Sequence, residues 1–437
     1  MDELYFSFQD SLIPKREIEE KQADIEKELK AMKEASFTGY EDDRASINLP
    51  FDENIKKDVE RVVEIKKKLD PEYLVVVGMG GSILGARAVQ EAIWGRLFNQ
   101  LKPKTKILYA DNADPYLIMD IKRILEPVLE SEANVLLNVV SKSGTTTESL
   151  ANMQLLIDLL KGYKKDHSRY LVVTTEKDSP LWNLAVKEDY SLLEIPRKIG
   201  GRYSVFSPSA LFPLGLLDVN LSELLSGARQ MRDRCLNPIV EDNPAAYGAL
   251  VTYLHHRKGN SIYNLFFYAH DLLSLGAWHR QLMAESLGKE HNNQGEKVFE
   301  GLTPISCIGS SDLHSMGQLL LGGPIDKLVS FVKVEGKDSM LTIPVNPDYA
   351  GLVKGLQGKP LGTVLDAIYE GVKSSFRAKN RAFTEVVLPG KREASIGQYL
   401  QYKMMETMIL GSLLEVNPFN QPNVESYKSE TRQILGD

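Results

Sequence analysis

The chain has 437 residues, and at roughly 100 to 200 residues per domain it has room for two or three domains, each with its own core. Hydrophobic residues are 43% and charged residues 25%, which sets aside collagen, disordered and coiled-coil classes. Lys and Arg total 52 against 59 Asp and Glu, a net charge of −7, without the cationic excess that nucleic acid or an anionic membrane favours.

The first residues, MDELYFSFQDSL, carry neither the basic start nor the apolar stretch of a secretory leader. No later run reaches the ~18 apolar residues of a membrane span. The cysteines, Cys235 and Cys307, lie too far apart for a disulfide framework or a CxxC metal site, which fits a reducing compartment. The expectation is a cytoplasmic protein.

Residues 1–70 read as an N-terminal helical extension. Charged residues dominate from Lys15 to Asp70, with apolar positions such as Ile25, Leu29 and Met32, then Val59 and Val63, three or four apart. At residues 73–77 a β-branched run ends in Gly78-Met79-Gly80-Gly81-Ser82 and continues in a helical pattern. Further apolar runs at 106–110, 134–140, 170–174 and 191–195 alternate with helix-length segments, which predicts a buried parallel sheet in a first α/β domain over 71–220. After a helical, proline-marked connection, strands are predicted at 261–268, 303–308, 328–334, 341–345 and 383–388, a second α/β domain over 221–394. Residues 395–437 read as C-terminal helices, in which Ile396, Leu400, Met404 and Met408 recur on one face as core packing. The fold class is α/β, with two doubly wound parallel sheets in three-layer α/β/α domains.

Two strand ends carry phosphate-sized signals. Gly78 to Ser82 sits at a helix N-terminus beyond a strand, where free amides and the helix dipole favour an anion. The nicotinamide fingerprint fails at Ile83, and no Lys-Ser/Thr completes a P-loop after Gly85, although Asp111 keeps a dinucleotide fold in view. Ser141-Lys142-Ser143-Gly144-Thr145-Thr146-Thr147-Glu148-Ser149 brings several hydroxyls and unpaired amides to another helix start, a cradle for a phosphate monoester.

These motifs, with Gly200-Gly201-Arg202-Tyr203-Ser204 and the later Ala284-Glu285-Ser286-Leu287-Gly288-Lys289-Glu290, Ser310-Ser311-Asp312-Leu313-His314-Ser315 and 417–428, resemble those of the glucose-6-phosphate isomerases. These are aldose-ketose isomerases built from two sugar-isomerase domains. The resemblance implies interconversion of glucose 6-phosphate and fructose 6-phosphate through a cis-enediolate, no metal or organic cofactor, and a homodimer with shared active sites. Glu285 is then the base for proton transfer between C1 and C2, Arg202 stabilises the enediolate, and His314, reaching a neighbouring subunit, opens the sugar ring with Lys428. Ser82, Ser141, Ser143 and Thr146 hold the phosphate, with Gly80, Gly81 and Lys142 lining the pocket and Gln281 and Gln421 touching the sugar; Ser149 is a weaker candidate. Met79, Asn420 and Asn423 depart from the residues common in the family.

Residue patterning adds detail. Glu285 shares a helical face with Trp278, Gln281 and Leu282 and so points inward, where apolar neighbours resist its ionisation. His314 is expected in the first turn of a helix closed by Gly322-Gly323-Pro324, and Gln421 and Lys428, seven apart, on one face of a helix starting near Pro422. Two rivals remain open at this stage: a bifunctional isomerase that also accepts mannose 6-phosphate, and a non-catalytic sugar-phosphate sensor.

Overall fold

The structure, a computed structural model, describes residues 3–336 and 341–436. Met1 and Asp2, part of the leader reading, lie outside the described residues. In chain order the strands are β1 (Tyr5–Ser7), β2 (Pro71–Val77), β3 (Lys106–Ala110), β4 (Asn134–Val140), β5 (Leu171–Thr175), β6 (Ser191–Glu194) and β7 (Ile262–Tyr268), followed by β8 (Lys289–His291), β9 (Lys297–Glu300), β10 (Thr303–Ile308), β11 (Lys327–Val334) and β12 (Phe383–Leu388).

β2 to β6 form a parallel sheet in the order β3-β2-β4-β5-β6. Its inner strands are mostly apolar and buried along most of their length, as in parallel sheets covered on both faces. The second sheet has the order β1-β12-β11-β7-β10, parallel except for β1. In each sheet the chain runs from a central strand to one edge and then returns across it, so neighbouring loops diverge between β2 and β4 and between β7 and β11. Such a switch point, beyond the carboxyl ends of the strands, is where open α/β sheets bind ligands.

Several elements differ from the sequence expectation. The segment expected as helical begins with β1, which pairs Tyr5 with Val387 and closes the edge of the second sheet. Three residues are too few for a periodic signal, and pairing with β12 satisfies their backbone groups. Residues 341–345 form no strand, only an isolated bridge between Thr342 and Pro360. Leu341 and Val345 stay exposed, because β-propensity without a sheet neighbour gives no ladder. β8 and β9 form an antiparallel hairpin not anticipated from the sequence.

The helix Glu393–Leu413 was expected to bury one stripe and is instead buried nearly all round. It is enclosed by the helices Leu221–Cys235, Pro244–Arg257 and Leu273–Leu287. Its buried charges are satisfied locally: Lys403 Nζ donates to Glu406 Oε2 at 2.7 Å and to the Tyr263 hydroxyl at 2.9 Å, and the Tyr402 hydroxyl donates to Glu406 Oε1 at 2.8 Å, whereas the Gln401 amide and the Tyr399 hydroxyl have no partner among the described residues. A buried charge pair is tolerable only when its remaining groups are bonded in this way. No helix among the described residues is long and apolar enough to cross a membrane.

Candidate active site

The first switch point is built from glycine. After β2 the chain turns at Gly80, whose φ of +52° suits a residue without a Cβ, into the helix Gly81–Trp94. A Cβ on Gly81 would stand 2.2 Å from the Gly201 carbonyl carbon and 2.6 Å from the Arg202 amide nitrogen. The start of this helix therefore rests directly on the backbone of the Gly201–Tyr203 turn that carries Arg202. Ser82, the next residue, is half-buried.

On the neighbouring strand end, Thr146 is the N-cap of the helix Thr147–Tyr163, and its side chain makes no capping bond. Neither this helix nor Gly81–Trp94 has a side-chain cap; the first amides of Thr147–Tyr163 remain available to an anion, whereas in Gly81–Trp94 the Ser82 and Ile83 amides donate to the Met79 and Gly80 carbonyls at 3.1 and 3.0 Å, which leaves the Gly81 amide. Ser141 and Thr146 hydroxyls lie 3.0 Å apart, and the exposed Ser143 Oγ accepts from the Thr145 amide and hydroxyl at 3.2 and 3.1 Å. Lys142 is half-buried, and burial pushes its ammonium below the usual lysine range, partly offset by Glu176 and Asp43. Ser149 is fully buried and offers no surface to a ligand. Asp111 accepts from Arg87 at 2.7 Å.

Arg202 is the hub. Its side chain is 2% exposed. Nε donates to Ser286 Oγ at 2.8 Å, Nη1 to Gln421 Oε1 at 2.8 Å and Glu285 Oε2 at 3.3 Å, and Nη2 to the carbonyls of Pro418 at 2.6 Å and Asn420 at 3.1 Å. These five bonds use all five guanidinium donors. A ligand oxygen reaches Nη1 only by displacing Gln421 or Glu285.

Glu285 lies on the helix Leu273–Leu287. Its second carboxylate oxygen accepts from Gln281 Nε2 at 3.1 Å, and Gln281 in turn lies against Gly80. The inward orientation predicted from the helical face is present, but the apolar surroundings are not. The carboxylate is about a third exposed and faces the Gln281 amide of its own helix and the Arg202 guanidinium, which comes from a turn that helical periodicity does not show. Gln281 Oε1 has no partner among the described residues.

Arg202, Glu285, Gln281, Gln421, Gly80 and Gly81 thus meet within one chain. His314 and Lys428 do not join them. His314 is exposed and follows a 3₁₀ turn, Ser311–Leu313, while the next helix, Gly317–Gly322, begins three residues later. The predicted continuous helix is broken because the Asp312 carboxylate accepts from the Ile308 amide at 2.7 Å, tying the turn back to β10. Gln421 precedes another 3₁₀ turn, Pro422–Val424, and the terminal helix starts only at Glu425. Gln421 and Lys428 therefore share no helical face, and Lys428 Nζ pairs with Glu425 at 2.7 Å on the exposed terminal helix.

Sequence reasoning assigned no role to Ser286 or Tyr203. Ser286 is fully buried and bonds both Arg202 and the Tyr203 hydroxyl, the latter at 3.0 Å. Its position next to Glu285 and the tyrosine's next to Arg202 were the available signals. Among the described residues no group of three or more His, Cys, Asp or Glu side chains is placed to hold a metal ion.

Comparison with known proteins places this geometry in a lineage. The family model described as phosphoglucose isomerase matches residues 66–437. The chain is 32% identical over 417 residues to the glucose-6-phosphate isomerase of Carboxydothermus hydrogenoformans, covering 93% of this chain and 87% of that one. It is 34% identical over 393 residues to that of Thermus thermophilus, covering 89% of each. A hypothetical protein from Thermus thermophilus, solved by crystallography, superposes over the full length of both chains with a TM-score of 0.88 and 31% identity. A glucose-6-phosphate isomerase from Chlamydia trachomatis shares the fold at a TM-score of 0.83 and 21% identity, covering 99% of this chain and 88% of that one. Matched from the end of its N-terminal extension to its last residue, with two relatives above 30% identity along most of their length, the chain belongs to the phosphoglucose isomerase family.

Proposed function

We propose that this chain reversibly isomerises D-glucose 6-phosphate and D-fructose 6-phosphate. The observation that carries the reading is the junction of Glu285, Arg202 and Gln421 beside two helix N-termini free of side-chain caps. The helix starts and the hydroxyls of Ser82, Ser141, Ser143 and Thr146 take the phosphate, with Lys142, Gly80 and Gly81 lining the pocket. Gln281 and Gln421 contact the sugar. Moving the carbonyl from C1 to C2 needs one base that removes the C2 proton and returns it to C1 while the enediolate oxygen is held. Glu285 is that base, and Arg202 Nη1 meets the developing charge when the substrate takes over its contact from Gln421.

Ring opening needs an acid/base group, and His314 fills that role from a partner subunit, in a homodimer with shared sites. The exposure of His314 supports this arrangement. Lys428 assists once it leaves Glu425. The sugar-isomerase domains are assigned to 71–220 and 221–394, with 1–70 and 395–437 as extensions, and the compartment is the cytoplasm. A sensor needs the phosphate cradle but has no use for a carboxylate against a buried guanidinium. The test is Glu285→Gln. It should retain sugar-phosphate binding within a few fold and lose about 10²- to 10⁴-fold in turnover; near-normal turnover would overturn the assignment of the base.

A further inference from the structure

Lys289 is the first residue of β8, two positions beyond the end of the helix that carries Glu285. It is 6% exposed, which is unusual for a lysine. Its Nζ donates to the Glu285 carbonyl and, at 2.9 Å, to the Ser286 carbonyl. Both belong to the last turn of the helix, whose carbonyls have no partner within the helix. The ammonium thus ties down the backbone of the proposed base and of the serine that holds Arg202 Nε.

A cavity of about 270 Å³ opens beside Lys289, lined also by His291, Asn417 and Asn420. The charges around Lys289 come from every side. Arg202 approaches from its turn and Glu285 from the helix. Glu290 and His291 line the cavity from β8, with Glu290 paired to Lys297 at 3.0 Å. Glu300 stands opposite Lys289 in the hairpin register, its carboxylate taken by His256 and Arg257.

We propose that Lys289 is a positioning residue for Glu285: its buried ammonium fixes the last turn of the catalytic helix, and turnover requires that ammonium to be charged. The proposal rests on the isomerase reading with Glu285 as base. Burial, reinforced by Arg202 and opposed by Glu285, pushes the ammonium down to about 8. Above that pH the two carbonyls lose a charge-assisted donor, which is the stronger kind of hydrogen bond, and the last turn loosens. Displacing a catalytic group by ~1 Å can cost about 10²-fold in rate.

The experiment measures kcat and KM for fructose 6-phosphate from about pH 6.5 to 9.5 in the wild type, Lys289→Arg, Lys289→Met and Glu285→Gln. Wild-type kcat should fall with an apparent pKa of about 8 while KM changes little. Lys289→Arg, whose side chain extends into the neighbouring cavity and keeps its charge, should move this limb up by at least about one pH unit. Lys289→Met should lower kcat about tenfold near neutrality. An alkaline limb unmoved in Lys289→Arg, or no fall in wild-type kcat across that range, would overturn the proposal. Lys142 also titrates low, and the arginine variant separates the two lysines. If Lys289→Met does not fold, the wild-type and arginine profiles still decide. An inactive Glu285→Gln with an unmoved limb removes only the role of Lys289, whereas an active Glu285→Gln removes the parent reading.

Discussion

Gly81→Ala tests the close contact on which the site depends. The new Cβ would lie 2.2 Å from the Gly201 carbonyl carbon and 2.3 Å from its oxygen, more than an ångström short of ordinary contact at 3.4 Å. Both obstacles are backbone, so the helix start and the Gly201–Tyr203 turn must move apart. Overpacking of this kind costs about 1–3 kcal/mol. Arg202 follows the turn, and its five bonds to Ser286, Glu285, Gln421, Pro418 and Asn420 cannot all survive such a shift. A displacement near 1 Å predicts about a 10²-fold loss in kcat. The assay is the continuous formation of glucose 6-phosphate from fructose 6-phosphate, coupled to a dehydrogenase, with denaturant unfolding in parallel. The control is Gly162→Ala, where a Cβ meets nothing within 4 Å in a helix and alanine should be neutral or stabilising by up to ~1 kcal/mol. Gly81→Ala with kcat within twofold of wild type and an unchanged unfolding midpoint would refute the reasoning.

Three further outcomes are expected. Ser286→Ala strands the buried Arg202 Nε and should lower unfolding free energy by about 1–3 kcal/mol in denaturant melts, with kcat falling as well. His279 is fully buried and burial holds its imidazole well below the ordinary range. The unfolded chain then takes up the proton first, so stability is complete above the unfolded value of about 6.5 and falls as pH drops below it, by about 1.4 kcal/mol per pH unit; His279→Gln should flatten that slope. Mixing Glu285→Gln and His314→Ala protomers should restore activity in heterodimers, since one site then has both residues intact, and verified exchange without recovery would argue against a site shared between subunits.

The parts of the fold legible in the sequence are those set by local rules. β2 and β4 announce themselves as apolar runs, and the loops after them as glycine or hydroxyl clusters at a strand–helix junction, because geometry and phosphate chemistry both act over a few consecutive residues. The contact between Arg202 and Glu285 spans 83 residues, and it depends on a backbone approach at Gly81 that no periodicity encodes. The burial of Lys403 and Glu406 ran against their polarity, since each finds a partner only once the helix Glu393–Leu413 is enclosed. The 3₁₀ turns before Lys428 and His314 escaped for a related reason: Pro422 reads equally as a helix start or a turn, and the Asp312 carboxylate chose a bond back to β10 over capping a helix.

The central claim is that the chain moves a proton between C1 and C2 of a hexose 6-phosphate. The most direct test is a proton NMR time course of fructose 6-phosphate with the purified protein in D₂O. The account predicts glucose 6-phosphate carrying partial deuterium at C2, and a mannose 6-phosphate signal would extend it to the bifunctional reading. Fructose 6-phosphate that stays unchanged while its resonances broaden in proportion to added protein would contradict the account in favour of a binding protein.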